Sequence, residues 1–165
     1  MKHALIAAAT LTCLGTSAFA QDRLTTAMVD FQTYCLGPGG DLDRSISKLS
    51  TSGTFRDGRR QETGGLTYAS FTGPDGVNAS VMIGGAMSDD RCTIIVNGVD
   101  DPQGQSASLA TALAEATNSP FMEWDPFGDY GNGGFGYQID AGDIVIAPLT
   151  TGISDDILHL VFFPT

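Results

Sequence analysis

The chain has 165 residues, eight basic and nineteen acidic, with a formal net charge of −11. That length suits one domain with a sizeable core. Such acidity repels phosphate backbones and anionic lipid, which argues against nucleic-acid or membrane-surface binding and leaves cationic proteins, small cations or plain solubility.

At the start, Met1-Lys2-His3 leads into an apolar run from Ala4 to Leu14, then Thr16-Ser17-Ala18-Phe19-Ala20 before Gln21. A cationic start, an apolar stretch too short to span a bilayer and an A-x-A ending describe a secretory signal peptide over 1–20, cleaved after Ala20. Lipoprotein processing at Cys13 would want leucine three positions earlier, where Thr10 stands. No other stretch reaches the ~20 apolar residues of a membrane-spanning helix. The expectation is a single domain over 21–165, periplasmic or secreted, without membrane insertion. It keeps seven basic residues against nineteen acidic ones, a net charge of −12. Two cysteines remain, Cys35 and Cys92, and an oxidising compartment favours a disulfide between them.

From Asp22 to Leu36 the residues Leu24, Met28, Phe31 and Cys35, with Ala27 beside them, form one stripe of an amphipathic helix ended by Gly37-Pro38-Gly39-Gly40. A weaker helical stretch covers Asp41 to Leu49, through Leu42, Ile46 and Leu49. Ser50 to Gly65, polar and bearing Arg56, Arg59 and Arg60, reads as an exposed loop. Strands over Leu66–Thr72 and Val77–Gly84 flank Gly73-Pro74-Asp75-Gly76, a hairpin turn by its proline and glycine. In the second of these, Val77, Ala79, Val81 and Ile83 make a dry face and Asn78, Ser80 and Met82 a wetter one. A third strand, Arg91–Asn97, puts Cys92, Ile94 and Val96 on one face, so that Cys92 looks toward the helix carrying Cys35.

Ser106 to Thr117, with Leu109, Ala112, Leu113 and Ala116 on one side, reads as a second main helix stopped before Asn118-Ser119-Pro120. Strands follow over Gly134–Asp140, Asp143–Leu149 and Asp155–Phe163, the first two joined by a three-residue turn, Asp140-Ala141-Gly142. The two halves share a plan without sharing residues. The fold expected is a two-layer α+β domain, with two main helices on one face of an antiparallel sheet of about six strands, in the order α-βββ-α-βββ.

Nucleophilic catalysis needs an activated Ser or Cys beside a base. After signal cleavage His159 is the sole imidazole. Its strand is apolar on both sides, so a structural histidine with one hydrogen-bond partner is expected, and no G-x-S-x-G elbow accompanies it. One histidine and a disulfide cannot supply a tetrahedral metal site. Gly131-Asn132-Gly133-Gly134-Phe135-Gly136 precedes a strand rather than opening a helix, so it is no dinucleotide fingerprint. An EF-hand frame begun at Asp125 meets Phe127, Tyr130 and Gly136 where ligands or glycine are required. The calcium nonapeptide is matched by Gly133 to Tyr137 but then has Gln138 in place of aspartate, and only one copy exists. No cofactor is therefore expected beyond an irregular calcium site using Asp125, Asp129 and Asn132.

Between Phe121 and Tyr137 six aromatic residues fall among prolines, glycines and acids. Aromatics on loops are common interface anchors, and acidic neighbours steer cationic partners. The candidate partner-binding residues are Phe121, Trp124, Asp125, Phe127, Asp129 and Tyr130. They suggest a non-enzymatic, secreted or periplasmic acidic protein that binds, or inhibits, a cationic protein such as a cell-wall hydrolase. The alternatives are a carboxylate-dependent glycan hydrolase using Glu123, Asp125 and Asp129, or a calcium-stabilised structural module.

Overall fold

The computed structural model describes residues 16–84, 90–117, 122–124, 134–149 and 156–165. Helix α1 (Thr16–Asp30) runs on into a wider π-helical turn, Phe31–Leu36. Leu24, Ala27, Phe31 and Cys35 are its buried stripe, while Met28 is half-buried. After the glycine-rich break comes α2 (Leu42–Thr51), whose first turn is capped by the Asp41 carboxylate accepting from the Arg44 amide at 2.9 Å. Leu42, Ile46 and Leu49 bury its inner face.

Four strands follow, β1 (Arg56–Thr63), β2 (Leu66–Thr72), β3 (Val77–Ile83) and β4 (Arg91–Asn97). Then come α3 (Pro102–Thr117) and four more, β5 (Met122–Trp124), β6 (Gly134–Ile139), β7 (Gly142–Leu149) and β8 (Ile157–Pro164). All eight form one antiparallel sheet in the order β1-β2-β3-β4-β8-β7-β6-β5. Among the described residues the first half is thus two helices and a four-strand meander, the second one helix and a four-strand meander, and the halves meet where β4 pairs with β8.

The described helices all lie on one side of this sheet, and among the described residues its other face carries none. Their buried residues join Phe71, Ala79, Val81, Ile94, Val96, Ile144, Ile146, Leu158, Leu160 and Phe162 in a single core cluster. The expected disulfide is present: Cys35 and Cys92 have Cα atoms 5.4 Å apart and tie the π-helical turn to β4 from within that core. Tyr34 and Phe55 close its edge with rings set edge to face, centroids 5.5 Å apart. From the middle of α1 the Arg23 guanidinium donates to the carbonyls of Asn97 and Gly98 at the end of β4 and of Asp75 just before β3, latching the helix onto the sheet.

The α+β class and the one-sided helices agree with expectation, but the element count needs correction. Among the described residues eight strands replace about six, and α2 is a full third helix, so the order is αα-ββββ-α-ββββ rather than α-βββ-α-βββ. The missed β1 lies in the stretch taken for an exposed loop. It contains no apolar residue and pairs only with β2, so as an edge strand it has no hydrophobic alternation to show. Its ladder even bulges at Gly58, where a side chain would run into the Ser70 carbonyl at 2.8 Å. Strand β5 is three residues long, below the reach of periodicity.

The α3 helix starts at Pro102, because the Asp101 carboxylate accepts from the Gly104 amide at 3.1 Å and caps it. Its buried stripe is Ser106, Ala110, Leu113 and Ala114, and Ala112 is exposed. Ile139 pairs directly with Gly142, so the β6–β7 turn is the two residues Asp140-Ala141.

Candidate functional site

The pairing ladders give the two halves a common frame. Ile94 faces Leu160 across the central seam, with Thr93 opposite Val161 on one side and Ile95 opposite His159 on the other. A two-fold axis through the Ile94–Leu160 pair exchanges Thr93 with His159 and Ile95 with Val161. The neighbouring ladders obey the same exchange. Ser80 faces Thr93 as Ala147 faces His159, and Met82 faces Arg91 as Leu149 faces Ile157.

Side chains alternate across a strand, so every second residue here points away from the helices. Those residues line a recess of about 180 Å³ on the helix-free face, astride the axis. Its floor is built from small residues, Ser80, Thr93 and Ala147, and its walls from Tyr68, Met82, Arg91, Ile95, Leu149 and His159. A small floor between larger neighbours is what makes a hollow in a sheet face. Thr93 and Val161 are at most 5 % exposed, and Val145, also on this face, is fully buried. The face is therefore a lined hollow and not a flat solvated surface.

Its electrostatics are those of one cation. Arg60 pairs with Glu62 on β1, at 3.0 Å, but no ion pair joins Arg91 to a carboxylate among the described residues. The His159 ring has no hydrogen-bond partner among the described residues, contrary to the single partner expected for a structural histidine. Burial, aided by the Arg91 charge, lowers its pKa to about 4, so the ring is neutral at ordinary pH.

The sequence-based candidates fare differently. Phe121, Asp125, Phe127, Asp129, Tyr130 and Asn132 lie outside the described residues, and of Glu123 and Trp124 only the backbone is described. That backbone belongs to β5, where Glu123 faces Phe135 and Trp124 faces Gly134. Strands β5 and β6 pair at the sheet edge opposite β1, and residues 125–133, which follow β5 in sequence, lie outside the described residues. Among the described residues no group of three or more His, Cys, Asp or Glu side chains could hold a metal ion, and no helix is long and apolar enough to cross a membrane.

No known protein-family model, characterised protein or solved structure matches the chain. The recess was only partly visible in sequence. The wetter face of Ser80 and Met82 was legible, but not that β8 lies beside β4, which brings His159 and Val161 next to Thr93 and Ile95.

Proposed function

We propose that the protein is a non-enzymatic binding protein working outside the cytoplasm, and that it holds a small ligand in the recess of the helix-free sheet face. The observation that carries this is the recess itself: a hollow with a mostly apolar lining and a few convergent polar groups, the usual make-up of a ligand site. The Cys35–Cys92 bond and the N-terminal leader pattern support a periplasmic or secreted setting.

Methyl NMR of the 21–165 chain, titrated with small apolar fragments, tests it. Resonances of Met82, Ile95, Leu149 and Val161 are expected to shift, while those of Ile94 and Leu160 on the core face stay put. If no fragment moves the recess methyls selectively, the recess is not a binding site.

A second contact surface is suggested by the sequence between Phe121 and Tyr137, most of which lies outside the described residues. With the aromatic residues and acids of 121–137 and a net charge of −12, it suits a cationic protein partner. Pull-down with wild type and with a Trp124→Ala, Phe127→Ala double variant checks this, and equal recovery of partners from both would dispose of it.

A further inference from the structure

Resting on the reading of the recess as a binding site, we propose that its ligand is a small organic monoanion: a carboxylate on an aromatic or short aliphatic body, the carboxylate held by Arg91 and the body lying over Ser80, Thr93 and Val161. Guanidinium groups present a planar fork of N–H donors that fits a carboxylate with two parallel bonds. In this chain acids outnumber bases nineteen to seven once the leader is gone. A carboxylate partner for Arg91 from within would have been easy to supply, yet none of the described acids is in place. Asp90, its neighbour in sequence, accepts from the Gly84 amide instead. Asp143, on the same sheet face, stands on β7 with the whole of β8 between.

The rest of the recess fits the rest of such a ligand. A cavity of about 150 Å³ holds a benzene molecule, so one of about 180 Å³ has room for a ring or a chain of similar bulk. Met82, Ile95 and Val161 give that body apolar contact. The site is also polarised. The two-fold axis carries Arg91 onto Ile157, so the cation of one half is answered by an apolar residue in the other. Neutral His159 adds no second positive charge, which favours one carboxylate over two.

Isothermal titration of the 21–165 protein with 3-phenylpropionate, its primary amide and 3-phenylpropylammonium separates head from body, since the three share one apolar group. The anion is expected to bind roughly ten-fold or more tightly than the amide, with the ammonium weakest. Added salt should weaken the anion alone. In Arg91→Gln the preference should collapse to about two-fold or less, while Arg56→Gln on exposed β1 keeps it. Equal binding of anion and amide to the wild-type protein overturns the ligand class and leaves the recess as a site for neutral molecules. Failure of all three to bind removes the ligand class, and the fragment titration then decides separately whether the recess binds at all. Both of these outcomes are read on unmutated protein and need no variant to fold.

Discussion

Thr93 and His159 hold the same position in the two halves of the sheet, each facing the recess, the first paired across the seam with Val161 and the second with Ile95. Because their side chains point away from the helices, bulk added beside them fills the hollow without entering the core. Ser80→Leu and Ala147→Leu are therefore expected to abolish binding of 3-phenylpropionate while changing the unfolding free energy by no more than about 0.5 kcal/mol, as surface changes do. Calorimetry and urea unfolding on the same samples check both halves of that statement.

His159 makes stability depend on pH. Its folded pKa, about 4, is below the ordinary value of 6.5, so the unfolded chain takes up a proton that the folded chain refuses. The contribution is intact above pH 6.5 and is lost as the pH falls toward 4, up to about 3 kcal/mol in all. His159→Gln has no such proton to take. Urea unfolding at pH 7 and at about pH 4.5 should show the wild type losing about 2 kcal/mol more than the variant. Parallel losses would mean that the imidazole is not held neutral.

Asp30 carries the opposite sign. It is 8 % exposed, its Oδ2 is buried without a hydrogen-bond partner among the described residues, and burial raises its pKa above the usual carboxylate value. A raised carboxylate weakens the fold as pH rises through its unfolded pKa toward its folded one, and costs nothing below both. Asp30→Asn is expected to raise the melting temperature at pH 7 and to leave it unchanged near pH 3. A variant less stable than wild type at pH 7 would show that the charge has a partner.

The disulfide spans 57 residues. Opening a loop of that length costs about 4 kcal/mol in the chain-entropy account. A Cys35→Ser, Cys92→Ser double variant should lose that amount in urea unfolding, and reductant should shift the wild type equally without affecting the variant.

Arg23 is the latch at the middle of α1, donating to Asn97 and Gly98 from a forked guanidinium. Arg23→Ala is expected to cost about 1.5–3 kcal/mol, the range for charged hydrogen bonds. Arg23→Lys should recover little of it, because an ammonium cannot reach two carbonyls with the same geometry. Full recovery by lysine would reduce the latch to a simple charge effect.

The sequence revealed most of what is apolar and periodic. The Leu24-to-Cys35 stripe, the dry faces of β3 and β4, the Pro74-Asp75-Gly76 turn and the Cys35–Cys92 pairing all follow from spacing, and the structure has each of them. What escaped was either polar or collective. Strand β1 owes its place to backbone pairing with β2 and not to burial, so Arg56 to Thr63 look like any loop. The recess depends on β8 returning to the centre of the sheet, a long-range pairing that no local pattern around His159 could announce. Arg91 opens β4, and only that pairing sets it beside a hollow.

Alternation along β3, β4, β7 and β8 has a consequence for how such a protein can change over generations. Residues such as Ala79, Ile94, Ile146 and Leu160 face the helices and hold the fold, while Ser80, Thr93, Ala147 and His159 face the recess and belong to no part of the core cluster. Selection for a new ligand can act on the second set while the first stays fixed. Stability and specificity sit back to back on one sheet, one residue apart in sequence, and can be inherited separately.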